Sequence, residues 1–279
     1  MKNRKLFASI LILLATLSWG LGYTIQTISA DQLQTFTIVF FKGIGGLILL
    51  PLLIKRKKQI RRKELIGGIL IGIAAFIGCI LQQRGMELST VSKASFITAL
   101  YIVFVPLIES FRGKRPGVKM LTAVGIALAG LYFLCLSGKV SLNIGDLFLL
   151  IGSFFFALQI ICIDVFSQEC DSIHLAFVSQ MTIAFFSAIV MVLVEKPAMV
   201  QISRSILPIL YLTFISGGMA QCIQIIYQKD VGPSLASLIM SLESVFGAAG
   251  GWLLLHQTMN GREIFGCILV FIAVLIAEE

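Results

Sequence analysis

Two ionisable side chains stand alone inside long apolar runs, Lys42 and Glu243. A charge in such surroundings costs several kcal/mol unless it faces protein or a water-filled cavity. Each therefore reads in two ways. Either could hold a polar solute or a proton, or the two could form a structural ion pair, with Lys42 also able to stretch its ammonium toward an interface. Gly217, Gln221, Gln224 and Gln228 recur at spacings of 4, 3 and 4, which places them on one helical face. Amides on that face suit hydrogen bonding to a polar solute in an apolar cavity; the alternative is glue between helices. Trp19, Tyr23 and Gln26 align in the same manner, beside Gly20 and Gly22. They fit an amphipathic metabolite, or for Tyr23 and Gln26 an interfacial belt. Gln82, Tyr101 and Tyr227 complete the expected solute path.

No catalytic residue and no cofactor is expected. The chain has no Asp-rich diphosphate motif, H-E-x-x-H, Walker loop or G-x-S-x-G, and His174 and His256 sit apart near segment ends. Nor is a metal site expected. Six scattered cysteines form no C-x-x-C pair and have no ligand spacing to either histidine, so they read as small core residues.

The elements that must position these residues follow from composition. Of 279 residues 58% are hydrophobic and only 13% charged, about half the share of a soluble globular protein, so the solvent is lipid. The net charge of +8 collects at the ends of apolar segments, where basic residues orient a membrane protein; no nucleic-acid partner is expected. Cutting at polar and Pro/Gly-marked breaks leaves ten segments, 6–28, 33–54, 65–85, 91–111, 118–137, 146–167, 172–194, 206–228, 233–256 and 261–277. The first imitates a signal peptide after Lys2, Arg4 and Lys5, yet runs on to about Ile28 without a cleavage pattern and is read as a membrane helix. No loop is long enough for an extramembrane domain, so function must sit in the bundle.

The ends of the first, third and fifth segments that share one face carry fourteen basic residues. These are Lys2, Arg4 and Lys5, then seven between Lys55 and Lys63, then Arg112, Lys114, Arg115 and Lys119. That face should be cytoplasmic, and both termini with it. The chain also matches itself at an offset of 142: from Ser92 to Phe104, seven of thirteen positions equal those from Ser234 to Phe246. The expectation is two repeats of five helices, 1–140 and 141–279, the second inverted because five is odd. The class is an all-α polytopic membrane protein of ten transmembrane helices in two inverted five-helix repeats. A small-residue stripe, Ser234, Ser237, Ser241, Ser244, Ala248 and Gly251, and the pair Gly68 and Gly72 read as helix-packing surfaces.

Several motifs together resemble the EamA-type transporters of the drug/metabolite transporter superfamily. They are Ser18-Trp19-Gly20, Gly45-Gly46-Leu47-Ile48-Leu49-Leu50-Pro51, Ser92 to Thr98 with Tyr101 and Val105-Pro106-Leu107, Ser241-Leu242-Glu243-Ser244-Val245-Phe246, and Gly251-Trp252-Leu253-Leu254-Leu255. The resemblance implies ten helices, cytoplasmic termini and movement of amino acids, related metabolites or drugs. Two places depart from the family pattern: Ser244 stands where proline is usual, and Gln257 where a glutamate ends that helix. The first change implies a straighter ninth segment. The reading is a secondary transporter in the cytoplasmic membrane that moves a small amphipathic solute by alternating access, outward by resemblance. Its partners are that solute and membrane lipid, with room for a homodimer. A channel or lipid-translocating bundle shares the architecture, and a polytopic enzyme ranks behind both.

Overall fold

A computed structural model describes residues 2–29, 33–53, 59–89, 91–135, 143–256 and 258–278. Lys55, Arg56, Lys57 and Lys58 of the expected basic loop, the repeat boundary at 140/141 and Gln257 lie outside them. Among the described residues every regular element is helical. The helices are α1 (Lys2–Ser29), α2 (Thr35–Leu53), α3 (Arg62–Leu88), α4 (Val91–Thr98), α5 (Tyr101–Phe111), α6 (Val118–Cys135) and α7 (Ile144–Ser167). They continue with α8 (Ser172–Val190), α9 (Met199–Arg204), α10 (Ile206–Leu210), α11 (Gln221–Val231), α12 (Pro233–Met240), α13 (Glu243–Leu255) and α14 (Gly261–Glu278).

Several of these join into longer rods. A π-helical stretch, Tyr211–Ala220, links α10 to α11, and a shorter one, Met191–Glu195, extends α8. Single turns join α4 to α5 and α12 to α13. Eight rods are long and apolar enough to cross a membrane; α2 is apolar but shorter, and α14 carries Arg262, Glu263 and Glu278 at its ends. The chain is a multi-pass helical membrane protein.

Polar residues start the helices where the chain turns back. Asn143 Oδ1 accepts from Asp146 N at 3.0 Å while Asp146 Oδ2 accepts from Asn143 N at 2.8 Å, so two otherwise orphaned donors at the start of α7 are satisfied. Asp171 caps α8 through Ile173 N at 2.9 Å. The α2 terminus is capped from a distance: Glu195 accepts Phe36 N, Thr37 N and Thr37 Oγ1, each at 2.7 Å. A carboxylate there also meets the positive end of the helix dipole.

Small residues set the helix crossings. A Cβ on Gly72 would lie 2.6 Å from Thr182 Cβ, and one on Gly130 would lie 2.8 Å from the carbonyl oxygen of Gly266. Gly72 thus seats α3 on α8, and Gly130 seats α6 on α14. The tightest approach is between α2 and the π stretch. A Cβ on Gly45 would collide with the Thr213 carbonyl, and one on Gly217 with the Lys42 backbone. Without a hydrophobic force between helices in lipid, such close backbone approach supplies the attraction.

The packing repeats at the offset seen in the sequence. α7 lies on α3 as α1 lies on the 206–231 rod; α8 lies on α3 as α2 lies on the π stretch; α2 meets α8, and α6 meets α14. The break between α4 and α5, at Ala99–Leu100, recurs at Ser241–Leu242 between α12 and α13. The expected straight ninth segment is therefore corrected. No proline is needed there, because Leu242 N bonds to Ile239 O and Ser244 N to Ser241 O, three residues back instead of four. The expected continuous stripe from Ser234 to Gly251 is likewise split in two.

Ion pairs gather at the end of the bundle that holds the N-terminus, and most of them join the first half of the chain to the second. Arg4 pairs with Asp230 at 3.1 Å, Lys5 with Glu278, Lys63 with Glu169, and both Arg112 and Lys114 with Asp164. Glu64, buried, accepts from Arg61 N at 2.9 Å, from the Arg61 guanidinium at 2.7 Å and from Asp171 N at 3.2 Å. His174 Nδ1 lies 2.9 Å from Glu64 Oε2, the oxygen that also accepts from Arg61 N. At the opposite end Lys93 pairs with Asp146 at 2.5 Å and Arg84 with Glu87 at 2.8 Å.

Candidate functional site

A cavity of about 70 Å³ lies where the two helix breaks, the π stretch, α1, α2, α3, α7 and α8 converge. It is wide enough for several water molecules. Seven of the eight residues expected on the solute path border it, as do the two charges Lys42 and Glu243, and so do Gln159, Gln180, Phe156 and Ser216.

The wall from α1 and α3 is aromatic and amide. Tyr23 is buried, and its hydroxyl accepts from Gln82 Nε2 at 2.8 Å. Trp19 donates its indole N–H to the Ser216 carbonyl at 2.9 Å, and Gln26, also buried, donates to Gly22 O at 3.1 Å. Tyr23 and Gln26 thus face inward, and the interfacial-belt alternative is set aside.

The wall from α7 and α11 carries a chain of amides. Gln159 donates to Gln224 Oε1 at 3.4 Å, Gln224 to Gln228 Oε1 at 3.2 Å, and Gln228 to the Ile160 carbonyl at 2.7 Å. The face read from the spacing of Gln221, Gln224 and Gln228 is real, but its members differ. Gln224 and Gln228 are satisfied by protein, whereas the buried Nε2 of Gln221 has no hydrogen-bond partner among the described residues. Ser216 Oγ, one helical turn earlier, is in the same condition.

At the helix breaks stands the acid. Glu243 is buried at the first turn of α13, and Tyr101, at the first turn of α5, donates its hydroxyl to Glu243 Oε1 at 3.1 Å. Position 101 plus the offset of 142 is 243, so the two halves meet here through matched residues. Gln82 and Gln224 are matched in the same way and border the same cavity. Lys42 reaches the cavity from α2, held there by the Gly217 crossing. Among the described residues no carboxylate oxygen lies within 4.0 Å of its ammonium. The ion pair weighed from sequence is absent: Glu243 takes its hydrogen bond from a tyrosine instead.

Tyr227 is a correction. It borders a separate hollow beside Arg4, Asp171 and Asp230 at the N-terminal end of the bundle, and its ring packs edge-on to Phe7 at 5.9 Å. On a 3.6-residue helix position 228, not 227, continues the face of 221 and 224, so Tyr227 turns away from the others. Gln159 and Gln180 were not expected. Their signal was a lone amide in each of two apolar segments, without a helical partner to form a pattern. Gln180 donates to the Gly217 carbonyl at 2.8 Å and helps fix the π stretch.

A polytopic helical protein with a cavity lined by polar and aromatic side chains of both halves has the form of a membrane transporter. Comparison with known proteins agrees. Residues 6–136 and 143–277 each match the EamA-like transporter family. An uncharacterised transporter of Archaeoglobus fulgidus is 30% identical over 279 residues, which cover 99% of this chain and 87% of that protein. A chain of known crystal structure superposes with a TM-score of 0.79 at 16% identity, over 97% of this chain and 95% of its own, which shows a shared fold. The chain belongs to the EamA-like transporter family.

Proposed function

We propose that the protein is a secondary transporter for a small zwitterionic metabolite such as an amino acid, working by alternating access around the central cavity. One observation carries this reading: both halves send matched positions, 82 with 224 and 101 with 243, into one central cavity. Two similar halves can rock about such a site to expose it to either side in turn. In this reading ten helices cross the membrane as two inverted repeats of five, at 1–140 and 141–279. The end that holds the ion pairs and the N-terminus is cytoplasmic, as the positive charge of the short loops indicates.

The lining suits a zwitterion. Glu243 offers a negative group, Lys42 a positive one on another wall, and Trp19, Tyr23 and Phe156 an aromatic surface for an apolar side chain. The family resemblance favours outward movement. The test is metabolite profiling of cells and medium with and without overexpression, followed by uptake of the responding solute into proteoliposomes. Saturable flux with counterflow exchange supports a transporter. Flux that rises linearly with solute and shows no exchange would instead make the bundle a channel.

A further inference from the structure

Burying a hydrogen-bond donor without a partner costs about 1–3 kcal/mol, and burying a cation without a counter-charge costs more. Native structures therefore satisfy such groups with few exceptions, and the exceptions call for a reason. Around this cavity three such groups stand together among the described residues: the half-buried Lys42 ammonium, the buried Gln221 Nε2 and Ser216 Oγ lie at one crossing, where Gly217 presses against the backbone of Lys42, while Thr98 Oγ1 is without a partner on another wall. Ser216 precedes that glycine and Gln221 follows it by one helical turn. The other amides of the cavity, Gln26, Gln82, Gln159, Gln180 and Gln224, are each hydrogen-bonded within the protein.

We infer that Lys42, Ser216 and Gln221 form a carboxylate-binding subsite, which holds the acid end of the solute against the crossing of α2 and the π stretch. The inference rests on the solute-site reading above and fixes the solute's direction within it. The ammonium supplies a charge-assisted hydrogen bond, and the amide N–H and the hydroxyl supply two more. A carboxylate has enough lone pairs to accept all three. Glu243, on the facing wall beside Tyr101, is then left for the solute's cationic end. The π stretch explains the cluster. Its wider turn lets Gly217 and Gly218 approach α2 closely, so the side chains that flank the contact, at 42, 216 and 221, reach past it into the cavity. Small movements at this crossing would also change the distance between the ammonium and the amide, which links solute binding to the packing of the two halves.

The experiment uses the purified full chain with Trp252→Phe, since Trp252 is exposed and Trp19 borders the cavity, so Trp19 fluorescence reports occupancy. Each standard amino acid is titrated. For the tightest, so are its decarboxylated amine and its deaminated acid. The expected result is that loss of the carboxylate weakens binding at least tenfold in the parent protein. Lys42→Met and Gln221→Leu should weaken the amino acid and the deaminated acid by a similar factor and leave the amine unchanged. Ser216→Ala, which keeps the backbone carbonyl that Trp19 uses, should do so to a smaller degree, and Lys42→Arg should restore most of the loss. Equal binding of amino acid and amine in the parent, or full carboxylate preference in Lys42→Met, would overturn the subsite and leave the solute cavity standing. No saturable titration with any amino acid would overturn the zwitterion reading and the subsite together.

Discussion

Among the described residues no cation lies within 4.0 Å of Glu243, and its carboxylate accepts a hydrogen bond from the Tyr101 hydroxyl. Glu243→Gln keeps an oxygen to accept that bond, so the variant should fold and its melting temperature in detergent should stay near that of the parent. If Glu243 carries the driving proton, the variant should exchange solute across proteoliposomes yet fail to concentrate it under a pH gradient. Undiminished pH-driven accumulation would remove Glu243 from coupling. Tyr101→Phe should cost about 1.5–3 kcal/mol, the range for a hydrogen bond to a charged group, as read by chemical denaturation. Much at this scale was legible in the sequence, because polar residues in an apolar chain are conspicuous and the spacing of Gln221, Gln224 and Gln228 fixes a face. Periodicity does not record which amides bond to one another. It therefore could not separate Gln221 from Gln224, and it had no handle on lone residues such as Gln180.

At the scale of elements, glycine crossings and the polar network at the N-terminal end hold the bundle. Gly45→Ala drives a Cβ into the Thr213 carbonyl, and overpacking of this kind costs about 1–3 kcal/mol or more. Gly125→Ala in α6 meets nothing within 4 Å and should hold or raise stability, since alanine favours helix by up to about 1 kcal/mol. Thermal unfolding of both variants checks the pair. In the polar network Glu64→Ala leaves the buried His174, the Arg61 guanidinium and two backbone amides without their acceptor, and should cost about 3 kcal/mol. Glu169 behaves differently. Its hydrogen bond from Lys63 holds its carboxyl below the usual carboxylate range, so its contribution is complete above the unfolded value and fades only as pH falls through the lowered one. Being fully exposed it is screened by solvent, and Glu169→Gln should move the neutral-pH melting curve little. Polar and Pro/Gly-marked breaks between apolar runs made most rods legible. The π stretch was not, because an extra residue per turn leaves no mark on composition, and the break at Ser241–Leu242 has no proline to announce it.

For the whole molecule the testable statement is its orientation. The loop after α5 meets the last turn of α7, where Arg112 and Lys114 pair with Asp164, while α9 lies at the far end of α8. With the six native cysteines replaced, single cysteines at Lys114 and Arg204 should label from opposite sides of the membrane, Lys114 from the cytoplasm. Labelling of both from one side would sink the inverted arrangement. The charge bias that motivates this was plain in sequence; the ion pairs that tie the two halves together at that end were not, because they join residues as distant as Lys5 and Glu278.

The Tyr101–Glu243 contact joins a position to its own counterpart. Had a single five-helix chain paired with a second copy of itself, that place would have held the same residue twice. Two tyrosines would leave the cavity without its acid, and two glutamates would set like charges against each other. One continuous chain escapes this constraint, because its two copies can differ where they touch. Exchanging the partners, Tyr101→Glu with Glu243→Tyr, should therefore preserve the contact and the fold, whereas Tyr101→Glu alone should bring two acids together and destabilise the protein, a difference read by melting temperature across pH.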